Sequence, residues 1–405
     1  MKPMRIAKRI IAAGTLLLVT GLAGAVGISD IGTTDDPSVT LIDRKDGSYA
    51  LVFTNAQTTT FTFNSDWTVT EFLVVGGGGA GGGNGGAGGG GGGVIWYTNA
   101  LLAADNVQTN FTSEQSVSLT VGAGGTGAFK SPGVPGGSSS LTIGGAVYTA
   151  FGGGGGGNYN DPPSVDRNAV PGVDGTGCGA AGYADGGTGV TTTMDPSKPG
   201  YYANNSGTGA KVSNQTYCAG GGGAGEVGGD AVTTGTKMGG KGGDGLPCPI
   251  TGTMVYYAAG GGGSTSNPNT TRLDDEAIGG LGGGGHASAK GSRENGVGIE
   301  PSDPSVHASG FGCGGGGGGG GSGACCFGGN GSAGIVVLAI EPGTGTGSET
   351  PVLGGAVFFF AGGKNDGEKS QPTLDLSDLE LSILDRRVAA RGDRVPLESV
   401  VGGPL

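Results

Sequence analysis

Six cysteines, Cys178, Cys218, Cys248, Cys313, Cys325 and Cys326, carry the most reactive side chains in the sequence. Thiols can bond to one another, hold zinc or act as nucleophiles. No two stand in C-x-x-C spacing, so zinc is the weaker reading and disulfide pairing the stronger, with a connectivity that spacing does not reveal. Cys325 and Cys326 are adjacent and are expected to pair with separate partners, because a bridge between neighbours closes a strained ring. The two histidines, His286 and His307, stand in Gly/Ser/Ala-rich sequence without an adjacent acidic or cysteine ligand and read as surface residues. Gly235–Lys241 imitates a phosphate-binding loop, but Gly242 stands where that loop needs Ser or Thr. Arg391-Gly392-Asp393 spells an integrin-type tripeptide and reads as coincidence. Asn110, Asn204, Asn214, Asn269 and Asn330 open glycosylation sequons. No catalytic, metal or cofactor-binding set converges, so the chain reads as a non-enzyme that needs no cofactor.

These side chains sit in an unusual frame. Glycine supplies 100 of 405 residues, and only 13% of residues are charged, which excludes an ordinary helix-and-core domain. The N-terminus places Lys2, Arg5, Lys8 and Arg9 ahead of an apolar run that ends in Ala23-Gly24-Ala25, the pattern of a secretory signal cleaved after Ala25. An uncleaved anchor is the alternative, since Ile10 to Ile28 is nearly long enough to span a bilayer. Taking those four basic residues from the 21 leaves 17 against 33 acidic, a formal charge of −16, which repels nucleic acid and anionic lipid. An even cysteine count fits an exported chain.

The elements that must position everything else are strands and glycine. Tyr49–Val75 alternates at Phe61-Thr62-Phe63 and Thr68-Val69-Thr70, as strands do. Further strands are expected at Val94–Leu102, Ser116–Val121, Ser139–Ile143, Ala146–Phe151 and Gly334–Ile340, and no helix is expected among them. Polyglycine follows a strand repeatedly, entering after Val147, Thr216 and Val255 in similar words (VYTAFGGGGGG, TYCAGGGGAG, VYYAAGGGGS). The tracts are nearly free of Ser and lie inside the domain, unlike flexible linkers, and they lack the G-X-Y period of collagen. What remains is an extended helix of polyproline-II type, three residues per turn, without internal hydrogen bonds. Lacking Cβ atoms, such helices can approach and bond to one another. The fifteen glycines of Gly76–Gly93 each cost about 0.5–1 kcal/mol more than Ala to order, which interhelix bonds of roughly 0.5–1.5 kcal/mol can offset. Gly76–Gly93 and Gly314–Gly321 are therefore expected to be ordered members of a bundle whose ends the strands hold in register.

The successive words FTFNSDWTVTEFLVVGGGGAGGG, SVSLTVGAGGTG, VYTAFGGGGGG and GIVVLAIEP resemble glycine-rich domains of exported bacterial and phage-associated proteins over about Tyr49 to Pro342. The resemblance extends distantly to the glycine-rich ectodomain of anaplastic lymphoma kinase-type receptors and to phage tail-tip adhesins. It implies a mainly β fold, a jelly-roll-like β-sandwich with an inserted bundle of polyglycine-II helices, and extracellular display. It implies no catalytic motif.

The expected organisation is a signal peptide at 1–25, an N-terminal lead at 26–48, the glycine-rich β domain at 49–342, a linker at 343–351 and a tail at 352–405. In the tail Val352–Ala361 is too short to span a membrane, and Ser377-Asp378-Leu379-Glu380 forms a capping box ahead of a short amphipathic helix. The reading is a structural or adhesive protein, located outside the cell or on its surface. Its loops at Asn158–Val173 and Thr191–Thr216 would face a cell-surface, matrix or glycan partner, and self-association into a homo-oligomer is open. An extracellular module binding carbohydrate or ice is the alternative, and a secreted hydrolase the weakest. No nucleic acid partner and no transmembrane span after signal cleavage are expected.

Overall fold

The computed structural model describes residues 26–127, 129–158, 167–184, 187–235, 237–265, 278–287, 308–319 and 327–343. The signal segment, the tail with its capping box and tripeptide, His307, Cys325 and Cys326 lie outside them.

The alternating sequences form two antiparallel sheets. One has five strands in the order Gly32–Thr34, Thr58–Phe63, Ser116–Thr120, Ser139–Ile143, Ala146–Ala150. The other runs Tyr201–Tyr202, Val94–Tyr97, Trp67–Val75, Ile335–Pro342, Tyr49–Phe53, Thr40–Asp43, with Asn110–Phe111 also pairing on Trp67–Val75. The strand Ile335–Pro342 thus inserts between two of the earliest, Val337 standing opposite both Val52 and Leu73. Residues 26–48, set ahead of the domain by sequence, supply an edge strand to each sheet.

The sheets pack face to face as a β-sandwich. Phe61, Phe63, Val117, Leu119, Leu141 and Ile143 from one sheet share a buried cluster with Leu51, Phe53, Phe72 and Leu338 from the other. Rings interlock across the layers, Phe53 meeting Phe61 at 6.0 Å and Phe72 lying 4.8 Å from Tyr148, while within its own sheet Phe72 stacks on Tyr97 at 5.0 Å. Edge-to-face and offset contacts of this kind add to what burial alone contributes.

Helix does occur, briefly, at Ile28–Ile31 and Asn99–Ala104. The second corrects the strand expected over Val94–Leu102. That strand stops at Tyr97, and Asn99-Ala-Leu-Leu-Ala-Ala, free of β-branched residues, turns to bury Leu102.

The glycine tracts run on from the strand ends and hydrogen-bond with a period of three. Gly76, Gly79 and Gly82 donate to Gly93, Gly90 and Ala87. Gly77, Ala80 and Gly83 donate to Gly137, Val134 and Ser131, and Gly78 and Gly81 donate to Ser332 and Gly329. Each partner number falls by three as the donor number rises by three, so these neighbours are antiparallel. The carbonyls of Gly77 and Ala80 accept from Gly153 and Gly156, and those of Gly79 and Gly82 accept from Gly315 and Gly318, so these neighbours are parallel. Gly78 also accepts from Gly125. One helix therefore bonds to neighbours all round, as three residues per turn and no side chains allow.

Gly76–Gly93 is an ordered part of the bundle, as expected, and the structure adds how it is arranged. Gly76–Gly93 is two antiparallel helices, joined at residues 83–85, where Asn84 and Gly85 take φ of 52° and 75°. Asn tolerates that left-handed turn better than other side chains. The alternative of a single straight helix would carry Gly93 away from Gly76, to which it bonds. The tract starting at Gly314 is described as far as Gly319, and within that span it joins the bundle as expected, Gly314 and Gly317 donating to Ala259 and Gly262.

Sheets and bundle are locked together at Ser139. Its buried hydroxyl donates to the Val75 carbonyl at 2.6 Å and accepts from the Gly122 amide at 2.9 Å, joining the exits of two strands to the entry of a third. Ser139→Ala leaves both groups without that partner, and is expected to lower stability by about 1–3 kcal/mol. Thermal melting checks this; an unchanged melting temperature would show that the junction does not depend on the hydroxyl.

Candidate functional site

The residues singled out for chemistry do not converge. Cys178, Cys218, Cys248 and Cys313 are buried free thiols, and no disulfide joins any two of them. The pairing expected from the even count is thus not found among these four. Three of the sulfurs are committed to backbone oxygens instead: Cys178 Sγ donates to Gly92 at 3.4 Å, Cys218 Sγ to Gly85 at 3.1 Å and Cys313 Sγ to Gly282 at 3.2 Å. Burial pushes the thiols of Cys178, Cys218 and Cys248 up to about 12 and that of Cys313 to about 11. At neutral pH they are protonated and poor nucleophiles.

The sign of the pH effect follows. Unfolded thiols ionise at about 8.5, so between that pH and about 11 for Cys313, or about 12 for the other three, the unfolded chain has lost protons that the folded chain retains. Stability from these four groups is fully present below the unfolded value and falls as pH rises through that window. Alkylation at pH 8 without reductant is expected to spare all four in the native protein and modify all four in denaturant. Native labelling at any of the four, seen by mass spectrometry, would show that site open.

His286 is exposed and lines an open groove of about 450 Å³ with Lys241, Ile278, Leu281 and Ser309. Lys241 is held by Asp244 at 2.7 Å. In the segment resembling a phosphate loop Met238 pairs with Val232, and Gly240 and Gly243 then donate to Cys218 and Gly221 of the bundle. No helix N-terminus stands there to receive a phosphate. No group of three His, Cys, Asp or Glu side chains suited to a metal ion occurs among the described residues, and no helix among them is long and apolar enough to cross a membrane.

The two loops are partly placed. Residues 159–166 of the first lie outside the described part. The second, Thr191–Thr216, lies along the bundle: Met194 is buried, and Asn204 Nδ2 donates to the Gly223 and Ala224 carbonyls. Among the other sequons Asn110, Asn214 and Asn330 are exposed, although Asn110 Oδ1 accepts from Thr68 and Asn330 Oδ1 from the Gly127 amide, and Asn269 lies outside the described residues. Lys198 and Tyr201 form an outer pair, the ammonium 4.2 Å above the ring.

A surface that the reading by motifs missed is the outer face of the five-stranded sheet. Register brings Thr33, Thr62 and Ser116 into one row. Thr60, Ser118, Thr142 and Val147 form a second, and Thr58, Thr120, Ser140 and Thr149 a third. Oγ atoms meet across strands at 2.9 Å for Thr58 with Thr120 and for Thr62 with Ser116. Ten of the eleven side chains are hydroxyls, and none is charged. The signal was legible as TTTFTF, SVSLT and SSLTI, in which every second residue is a hydroxyl, but these strands are spread over residues 58–143 and only pairing makes them one face.

A β-sandwich continued into a polyglycine-II bundle, with an uncharged hydroxyl face, buried thiols and no gathered catalytic set among the described residues, defines a glycine-rich scaffold. The chain belongs to the glycine-rich domain family, whose profile matches residues 54–341. No curated protein matches the chain.

Proposed function

We propose that this is an exported structural or adhesive protein without enzymatic activity, of the bacterial or phage-associated kind, in which the bundle is a rigid base for display. The observation that carries the reading is the uncharged hydroxyl face. On a chain of formal charge −12, it is a broad neutral area able to donate and accept hydrogen bonds without desolvating an ion. The exposed part of Thr191–Thr216 adds Lys198 and Tyr201 as contacts. Export rests on the basic n-region, apolar run and A-x-A site, and the mature chain is expected to begin near Val26, outside the cytoplasm. Recovery of Met1 from the exported form by N-terminal sequencing would overturn the cleavage.

The adhesive reading is tested by retention of the protein on host surface or matrix preparations. Thr60→Lys and Thr142→Lys place charge at the centre of the face without touching the core, and retention should fall at least tenfold. Equal retention of the variants would remove the face from the function. The same face supports the second reading, a module for neutral carbohydrate or for ice. A glycan array and thermal hysteresis separate these from general adhesion.

A further inference from the structure

We propose that the chain forms a symmetric dimer by antiparallel pairing of the strand Ala146–Ala150 with the same strand of a second copy, making the two five-stranded sheets continuous. This goes beyond the adhesive reading and does not depend on it.

Exposed strand edges invite pairing, and proteins ordinarily guard them with charge, proline or brevity. Three of the four edges in this sandwich are guarded. Gly32–Thr34 runs into Asp35-Asp36-Pro37, and Thr40–Asp43 runs into Arg44-Lys45-Asp46, with Lys45 and Asp43 paired at 2.7 Å. Tyr201–Tyr202 is two residues long. The fourth, Ala146–Ala150, has none of these devices: its five residues carry no charge and no proline, and Val147 is 62% exposed.

Its backbone is also available. Gly144 and Gly145, both at positive φ, make a two-residue hairpin loop between Ile143 and Ala146. The residues flanking such a loop form a hydrogen-bonded pair, and bonding then alternates along the ladder. Ala146, Tyr148 and Ala150 therefore bond inward to Ile143, Leu141 and Ser139. Val147 and Thr149 direct N–H and C=O away from the sheet, and no hydrogen bond from another element reaches either backbone among the described residues.

The occupant is argued from the strand itself. Ala-Val-Tyr-Thr-Ala is nearly palindromic about Tyr148. Antiparallel self-pairing on that centre sets Val147 opposite Thr149 of the second copy, two β-branched side chains of nearly equal shape, and Ala146 opposite Ala150. The outward groups of Val147 and Thr149 then meet as hydrogen-bonded pairs, the self-complementarity that a twofold interface requires. Charge agrees: the chain as a whole is acidic and repels itself, whereas this edge and the adjoining hydroxyl face are neutral. Pairing would carry the hydroxyl rows unbroken from one copy to the next.

Sedimentation velocity of the purified protein at micromolar concentration should find a dimer. Val147→Lys and Thr149→Lys should each weaken it at least tenfold by placing like charges at the seam, while Thr58→Lys, on the same face but away from the edge, should leave it intact. Melting curves verify that the variants fold. In the unmodified protein, exchange of the Val147 and Thr149 amides should slow with rising concentration. A monomeric wild type, a dimer that survives both edge variants, a dimer equally lost in Thr58→Lys, or exchange independent of concentration would each overturn the proposal.

Discussion

Gly79→Val is expected to destabilise the glycine bundle severely. A Cβ at this position would lie 2.1 Å from the Gly154 carbonyl oxygen and 2.6 Å from its carbon. Both belong to backbone, so relief requires the helix containing Gly79 to move off the one containing Gly154. That motion breaks the bonds from Gly153 and Gly156 to Gly77 and Ala80 and, because the helix of Gly90 bonds to both, either the bond from Gly79 to Gly90 or that from Gly90 to Gly154. Buried amides left unpaired cost about 1–3 kcal/mol each, so the total is of the order of 5 kcal/mol or more, a large part of the stability of a typical domain. The Gly317→Val change meets the same obstacle, 2.1 Å from the Gly86 oxygen. Gly189→Ala is the control: it is exposed, its nearest neighbour stands at 3.1 Å, and its effect should stay below about 1 kcal/mol. Melting of the three variants, with amide exchange across residues 76–93 and 314–319, decides the matter. Exchange at random-coil rates, or a Gly79→Val protein that melts like wild type, would return these tracts to the status of linkers.

Phe72→Ala is expected to cost about 3–5 kcal/mol, the range for deleting a fully buried aromatic ring. Phe72 is inaccessible to solvent, stacks on Tyr97 with planes 6° apart, and touches Tyr148 of the opposite sheet. Its loss opens a cavity where the two layers meet, directly beside the strand end that launches the tract at Gly76. The measurable signature is a lowered denaturation midpoint accompanied by faster exchange at Gly76–Gly79, because the strand sets the register of the helix it feeds. A loss of stability below about 1 kcal/mol would mean that the sandwich layers do not pack on this ring.

Much of this architecture is written locally. Alternation in Thr58–Phe63 or Ser116–Thr120 forces one face inward whatever the partner, since side chains in a strand point to opposite sides. Glycine runs without period or serine can be ordered only by bonding to other backbones. The short strands at Tyr201–Tyr202, Ala210–Val212, Leu246–Cys248 and Asn110–Phe111 were not legible. Two or three residues hold no periodicity, and these owe their form to a strand already in place.

By itself, then, the sequence determined the class of structure: β-strands with buried alternate residues, polyglycine-II helices as ordered components, and a surface poor in charge. Tertiary structure alone decided the pairing. One glycine run is chemically the same as another, so nothing local tells Gly79 to bond to Gly90 and receive from Gly315. The strands at the tract ends impose that choice, and their order depends on contacts such as Val337 with Val52, hundreds of residues apart. The fold likewise buried the four described thiols apart from one another and sent three of them toward carbonyls, turned the chain back at Asn84, and gathered hydroxyls from separate strands into one face with an unguarded edge. Each is a matter of distance in space, which the identity of neighbouring residues does not fix.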